Sequence, residues 1–511
     1  MISVLSNAGM READRVTIEE LGVPGLVLME TAASAVTELI CEKFGSLRSV
    51  LVACGPGNNG GDGIAVARQL RCRGFDATVA LLVGEEHLKG DAGKQLELAK
   101  TFRVPITNCW GEELHRLDAL IAGCEVVVDA LFGTGLVRPL EGFWVEVVRR
   151  LNSAAVPIVA VDVPSGLFGS SSTVPGEAID ATATVTFAAP KVVHALPPSC
   201  WRCGEVAVAD IGIPPWVLDP LASLALLEAE DVAGWLPRRS VDAHKGHFGH
   251  LLLVAGRRGR AGAAILAARA AVAAGSGLVT VVTSTDAVAP IQAAVPEAMV
   301  DALPSGPDGA VAGGGIEPLL GKATAVAVGP GLGVQHGSRR VIDAIVSAWA
   351  GPLLLDADAL TLLAGRSEVL HGRSAPTVLT PHPGELGRLL GVTTPEVVDD
   401  RVAVATRAME LSGATVLAKG ARTVIVSPKQ LPLINPTGTP GLASGGAGDV
   451  LTGMIGALLA QGLDGREAAA AGAWLHGRCA EIADDRYPGA VPASALVERL
   501  PAAERELRDL T

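Results

Sequence analysis

The sequence predicts an α/β protein of two units in tandem, the first of them a doubly wound parallel sheet. Three observations lead there. Short runs rich in β-branched residues alternate with helical patterns, as in βαβ units. A chain of 511 residues exceeds what one core serves. Between two stretches of alternation lies an irregular segment, Ile213 to Gly246, carrying Pro214, Pro215, Pro220 and Pro237.

Taken in order, residues from about Gly9 to Val36 read as helix, broken at Gly22-Val23-Pro24-Gly25. Strands follow at Val50–Cys54, Thr78–Val83, Val126–Ala130, Ile158–Val163, Thr182–Phe187 and Glu205–Ala209. Ile64–Arg73 and Trp144–Leu151 are helical between them. The boundary is placed near residue 220, giving units 1–220 and 221–511. In the second unit the strands are His250–Ala255, Leu278–Thr283, Ala325–Val328, Pro352–Leu355, Thr377–Leu379, Thr415–Ala418 and Thr423–Val426. An Ala-rich helix spans Gly262–Ala274, where Arg269 and the length favour a packed core helix over a membrane element. The last large element is expected to be a helix from about Gly448 to Ala460.

Composition narrows the function. A net charge of −13 with one Tyr argues against nucleic acid, which wants basic surface and stacking rings. Glu30 interrupts the only signal-peptide candidate, and no apolar run reaches bilayer length, so the expectation is a cytoplasmic protein with no membrane partner. Cys200-Trp201-Arg202-Cys203 has no second pair at zinc spacing and reads as free thiols in a reducing compartment. His244, His247 and His250 are spaced like metal ligands, but Gly246 and Gly249 argue against a helix that would aim the rings together.

Four polar clusters fall at strand ends of the first unit, where open parallel sheets bind ligands. They are Gly55-Pro56-Gly57-Asn58-Asn59-Gly60-Gly61-Asp62-Gly63, then Asp129, then Asp162-Val163-Pro164-Ser165-Gly166, then Lys191. The glycine run before Ile64 contains the dinucleotide pattern Gly-x-Gly-x-x-Gly, yet its two amides and carboxylate exceed what a pyrophosphate needs. Gly133-Thr134-Gly135 and Arg138-Pro139 add a second phosphate cradle. Carboxylates converging with amide and hydroxyl oxygens form a cage for a hard cation. The bland alternative makes Asp129 and Asp162 turn caps, but four clusters together favour a site.

These motifs resemble the NAD(P)H-hydrate epimerase domain over roughly residues 9 to 215, with Asp14 and Leu28-Met29-Glu30 fitting its N-terminal helices. The resemblance implies a potassium ion held by Asn59, Asp129 and Ser165. It implies a substrate lined by Asn58, Asn59, Gly60, Gly61, Asp62, Gly133, Thr134, Gly135, Leu136, Val137, Arg138, Pro139 and Asp162. Lys191-Val192-Val193-His194 departs from the usual Lys-x-Gly-His, and no role is assigned to Lys191. In a hydrated nicotinamide the C6 hydroxyl neighbours the ring nitrogen, whose lone pair expels water once that hydroxyl is protonated. Asp162 is the choice for general acid and base.

The second unit carries Gly329-Pro330-Gly331-Leu332-Gly333, Leu355-Asp356-Ala357-Asp358, Thr380-Pro381-His382-Pro383-Gly384-Glu385, Lys419-Gly420-Ala421-Arg422-Thr423 and Gly445-Gly446-Ala447-Gly448-Asp449. A glycine run opening a helix makes an anion hole of backbone donors, with Asp449 placed to meet a hydroxyl beside a phosphate. Over about residues 225 to 508 the set resembles the ADP-dependent NAD(P)H-hydrate dehydratase domain. The fold class so implied is a Rossmann-like doubly wound sheet followed by a ribokinase-like α/β domain. Contacts to the hydrate are implied for Ala263, Gly331, His382 and Asp449, with Asp449 catalytic. ADP contacts are implied for Lys419, Gly420, Ala421, Arg422 and Thr423, and for the loop from Thr439 through Ser444, Gly445, Gly446, Ala447 and Gly448, with Mg2+ accompanying. A homo-oligomer, tetramer or larger, is the expectation from relatives. Ala447 stands where Thr is usual, and Arg257-Arg258-Gly259-Arg260 replaces a less basic loop. Two rival readings stay open: an NAD-dependent dehydrogenase fused to a sugar-type kinase, for which Glu85 suits a ribose, and a non-catalytic N-terminal binding module on a dehydratase.

Overall fold

The computed structural model describes residues 1–510. It divides into two compact units, Ile2–Leu224 and the chain from Ala225 onward together with Met1.

In the N-terminal unit seven strands lie in the order Ile106–Asn108, Asp76–Leu81, Ser49–Cys54, Val126–Ala130, Ile158–Val161, Ala183–Phe187 and Glu205–Ala209. All neighbours are parallel. The central strands Ser49–Cys54, Val126–Ala130 and Ile158–Val161 are largely apolar because both faces are covered, whereas the edge strands Ile106–Asn108 and Glu205–Ala209 stay partly exposed. Val50, Val52 and Cys54 join the cluster that includes Leu28, Ile64 and Leu96, while Leu51 and Ala53 join Leu117, Val147 and Leu151 on the other face. From Ser49–Cys54 the chain builds outward on one side and then returns to lay Val126–Ala130 on the other. The switch point therefore lies between these two strands, and the crevice opens beyond Cys54 and Ala130.

One difference from the sequence reading changes the site. The helix expected from Ile64 begins at Gly57 and runs to Cys72, so the polar run forms its first turns rather than a loop before it. The glycines serve close packing. A Cβ on Gly60 would lie 1.9 Å from the Gly55 carbonyl oxygen, one on Gly61 would lie 2.9 Å from the Ala92 backbone, and one on Gly63 would lie 2.4 Å from the Ala130 methyl. Gly60→Ala is accordingly expected to destabilise this unit by about 1–3 kcal/mol, as overpacking does. Denaturant unfolding of the N-terminal unit checks this, and an unchanged midpoint would contradict it.

In the second unit Met299–Leu303, Leu278–Ser284, His250–Val254, Ala325–Val328, Leu353–Leu355, Thr377–Leu379 and Thr415–Ala418 form a parallel run in that order. Val424–Val426 and Leu433–Ile434 continue it antiparallel, and Leu433 and Ile434 pair with Ala225 and Leu226. The switch point falls between His250–Val254 and Ala325–Val328. The Ala-rich helix Ala261–Ala273 packs against Ala447–Ala460 so closely that a Cβ on Gly453 would lie 2.1 Å from the Ala267 carbonyl oxygen. No helix among the described residues is long and apolar enough to cross a membrane.

The break expected at Gly22-Val23-Pro24-Gly25 separates Asn7–Arg15 from Gly25–Phe44, but the first helix ends in a π turn at Val16–Glu20 that the pattern does not announce. Other elements depart from expectation. The segment from Ile213 is not irregular throughout: it holds the strand Ala222–Leu226 and the helix Ala229–Trp235. The helix ending at Ala460 is not the last large element, since Gly465–Asp484 and Ala493–Arg508 follow. Gly465–Asp484 is buried over most of its surface and so lacks the apolar stripe that marks a surface helix.

Candidate functional site

In the N-terminal crevice, a cavity of about 700 Å3 is lined by Asn58, Asn59, Asp62, Gly133, Thr134, Gly135, Leu136 and Asp162. Asp14 and Lys191 line it as well. Asp162 follows the strand Ile158–Val161 and holds φ at +65°, a conformation costly for a residue with a Cβ and common at functional sites. Its carboxylate is pinned. Lys191 Nζ donates to Oδ1 at 2.7 Å and Thr186 Oγ1 donates to the same oxygen at 3.1 Å, while the Thr134 N–H points at Oδ2 from 3.4 Å.

Lys191 is nearly inaccessible, and its ammonium is completed by Thr186 Oγ1 and the Phe187 carbonyl. Burial alone would raise the Asp162 carboxyl, but the Lys191 ammonium outweighs it and holds the group below the ordinary carboxylate range. His194 fixes the backbone: its Nδ1 accepts from Lys191 N, which leaves Nε2 to donate to the Asp162 carbonyl. Burial lowers the His194 imidazole to about 3, so it is neutral. The lysine and histidine went unassigned from sequence, and the available signal was a lone Lys just after the strand Ala183–Phe187.

Asp129 is fully buried behind the crevice. Ser165 Oγ donates to its Oδ1 at 2.7 Å and Ser165 N to its Oδ2 at 2.8 Å. Burial pushes the Asp129 carboxyl up to about 6 against these hydrogen bonds. A Cβ at Gly133 would lie 2.9 Å from Asn59 Oδ1, and the Asn59 amide nitrogen is buried without a partner. Asp62 is raised well above the usual range by burial and then by Asp162 and Asp14. Gly60 and Gly61 are spent on packing. Val137, Arg138 and Pro139 are exposed and do not reach the cavity wall.

The second unit repeats the logic. Asp356, at the end of Leu353–Leu355, accepts from Lys419 Nζ at 2.7 Å through one oxygen and from Thr452 Oγ1 at 2.6 Å through the other. Asp449 sits in the first turn of Ala447–Ala460. Burial, then the Asp356 charge, pushes its carboxyl up to about 6, with Lys419 opposing. Gly446 caps this helix at φ +91°, and a Cβ at Gly448 would lie 3.6 Å from Lys419 Nζ. The Ala447 carbonyl is taken by the buried, neutral His476, whose imidazole burial lowers to about 4.

Gly331 and Ala263 meet, since a Cβ on Gly331 would lie 3.0 Å from the Ala263 methyl. His382 is half exposed and caps Pro383–Leu390, its Nδ1 accepting from Gly384 N and its Nε2 lying 3.4 Å from Glu385. Around Lys419, Gly420 and Arg422 take positive φ, Arg401 binds the Ala421 and Arg422 carbonyls, and Thr423 Oγ1 donates to the Gly420 carbonyl. Ser444 Oγ donates to the Val491 carbonyl, whereas a Cβ on Gly445 would meet nothing. The three histidines do not converge: His244 and His247 stack, while His250 bonds Lys322 and Thr280.

The N-terminal crevice with its buried Lys191–Asp162 pair, and the Lys419–Asp356 pair beside the glycine-opened end of Ala447–Ala460, define a two-site α/β protein of the kind that binds nucleotides. Residues 25–193 match the family described as YjeF-related protein N-terminus, and residues 251–502 the one described as NAD(P)H-hydrate dehydratase. The chain is 40% identical over 515 residues to the bifunctional NAD(P)H-hydrate repair enzyme of Moorella thermoacetica, covering 99% of this chain and 97% of that one. It is 35% identical to the Escherichia coli enzyme of that name, covering 94% and 89%. The ADP/ATP-dependent NAD(P)H-hydrate dehydratase of Bacillus subtilis, co-crystallised with ATP and Mg2+, superposes with a TM-score of 0.50 at 33% identity, covering 56% of this chain and 99% of that one. The chain belongs to the family of bifunctional NAD(P)H-hydrate repair enzymes, with an epimerase unit followed by a ribokinase-like dehydratase unit.

Proposed function

We propose that Asp162 performs the acid–base step of R/S epimerisation of hydrated NADH and NADPH, and that Asp449 acts at the C6 hydroxyl of the S epimer during ADP-dependent dehydration. The observation that carries this reading is the pinned Asp162–Lys191 pair facing a cavity large enough for a nicotinamide nucleotide. In epimerisation the ring nitrogen's lone pair displaces the C6 oxygen, and water returns to C6. In dehydration the same C6–O bond breaks, but a C5 proton leaves and a C5–C6 double bond forms. Hydroxide leaves poorly, which is why the nucleotide is required; Asp449 beside the glycine-opened helix end supplies the group that handles the hydroxyl.

A potassium ion fits the donor set of Asn59, Asp129 and Ser165. The Asp129 carboxylate is buried, held by the Leu131 and Ser165 N–H groups and the Ser165 hydroxyl with no cation paired to it among the described residues, and its oxygens with Ser165 Oγ and Asn59 Oδ1 are the kind of donors such an ion takes. The ion would neutralise Asp129 and stiffen the loops beside Asp162. In the second unit, Asp356 and Asp358 add negative charge around Asp449, so phosphates entering there require a counter-ion beyond Lys419. Mg2+ suits that role, and the Bacillus subtilis enzyme was co-crystallised with ATP and Mg2+. ADP would meet Lys419, Gly420, Ala421, Arg422 and Thr423 and the loop ending at Gly448. A cytoplasmic homo-oligomer completes the reading.

The test is to incubate the protein with separated R- and S-hydrates of NADH, with and without ADP and K+, and follow the absorbance of regenerated NADH. S-hydrate is expected to turn over only with ADP, and R-hydrate only with ADP and at a rate that falls when K+ is exchanged for Na+. S-hydrate left untouched with ADP would contradict the reading.

A further inference from the structure

We propose that Asp14 is a second catalytic residue of the epimerase reaction, serving the face of the hydrated ring opposite Asp162. The inference rests on the reading of the N-terminal crevice given above. Epimerisation by loss and return of water requires oxygen to leave one face of C6 and arrive at the other. Asp162 is poorly suited to both tasks. Oδ1 is held by Lys191 and Thr186, and its backbone is tied through the carbonyl to His194, so the carboxylate stays on the strand-end wall of the cavity.

The N-terminal helices also line the cavity, contributing the apolar residues Met10, Ile18, Leu28 and Met29. Asp14, near the end of the helix Asn7–Arg15, lines the cavity from that side. Its carboxyl makes no hydrogen bond or ion pair among the described residues. A half-buried acid that lines the cavity beside apolar side chains with no hydrogen-bond partner is a candidate to meet a ligand.

The two carboxyls also differ in protonation. Burial pushes Asp14 up to about 6, with the Lys191 charge opposing and that of Asp162 adding, whereas Asp162 is kept ionised by Lys191. A pair of carboxyls driven apart in this way is the arrangement of an acid and a base sharing one substrate. Asp62 and Asp91 line the cavity as well, and Asp62 lies within electrostatic reach of both.

The step balances. Asp14 gives its proton to the C6 oxygen as the C6–O bond breaks, the nitrogen lone pair forms the C6–N double bond, and water departs. A second water on the other face bonds to C6 and gives its proton to Asp162, while the C6–N π electrons return to nitrogen. For the opposite epimer the roles reverse.

The test uses the full chain without ADP, so that only epimerisation runs, and separates the epimers by chromatography in 18O-labelled water. Asp14→Asn is expected to lower kcat for inversion by ~100-fold or more with KM little changed, within the range for loss of a general acid. Asp14→Glu should recover part of that loss, and each inversion in the parent protein should bring one labelled oxygen to C6. Inversion at the parent rate in Asp14→Asn, a change in KM alone, or retention of the original oxygen would overturn the inference. If Asp14→Asn is silent while Asp162→Asn is dead, Asp162 acts alone. If both are silent, the reading of this crevice as the epimerase site fails with it.

Discussion

Asp162→Asn is expected to lower R-to-S inversion by about 10²–10⁴-fold while ADP-dependent conversion of S-hydrate proceeds at the parent rate. The asparagine keeps the shape of the side chain but can neither hold nor accept the proton that the reaction moves. Asp162→Ala should lose inversion equally, with an added structural penalty. Lys191 is about 1% exposed and bonded to Asp162 Oδ1, so removing the carboxylate leaves a buried ammonium with only Thr186 and a carbonyl for partners. Breaking a buried pair from one side costs about 3–5 kcal/mol. The alanine variant is therefore expected to show an earlier unfolding transition in the N-terminal unit, and the asparagine variant a smaller shift. Chiral analysis of the hydrates without ADP measures inversion, and the dehydratase rate of the same samples reports the second unit. Normal inversion in Asp162→Asn would remove this residue from the chemistry.

Asp449→Asn is expected to abolish regeneration of NADH from the S-hydrate, by about 10²–10⁴-fold, while retaining nucleotide binding. The backbone donors opened by Gly446 and the Lys419 ammonium held by Asp356 remain in place. Removing a carboxylate from a site already crowded by Asp356 and Asp358 relieves repulsion of the phosphates, so ADP is expected to bind at least as tightly as to the parent. Titration calorimetry with ADP and Mg2+ checks binding, and NADH absorbance checks turnover. Retained turnover would exclude Asp449; lost ADP affinity would make it a binding residue instead.

Much of this architecture is legible in the sequence because buried parallel strands are near-continuous apolar runs: Val126–Ala130, Ala325–Val328 and Thr377–Leu379 have the same bounds in the fold as in the pattern. Ile106–Asn108 and Leu433–Ile434 escape notice, being three and two residues long and set by pairing with neighbours. The polar run from Gly57 looks like a loop because glycine's two uses, turning and close packing, leave the same trace in a sequence. Only the neighbours at Gly55, Ala92 and Ala130 tell which one operates.

The site motifs stand out by their residue types, yet what arms them does not. Lys191 meets Asp162 across 29 positions and Lys419 meets Asp356 across 63, contacts that no spacing rule announces. The exposure of Val137, Arg138 and Pro139 is likewise a property of how the loop sits. Asp14 carries no motif of its own and becomes visible only as a partnerless acid lining the cavity.

The central claim is that this chain holds two separate sites acting on the same ring carbon, one that fails without Asp162 and one that fails without Asp449. The most direct measurement follows R-hydrate with ADP and K+ using Asp162→Asn alone, Asp449→Asn alone, and the two mixed. Each variant alone should stall, apart from spontaneous inversion, and the mixture should regenerate NADH because S-hydrate released by one is finished by the other. Either variant consuming R-hydrate at the parent rate, or a mixture that stays stalled, would contradict it.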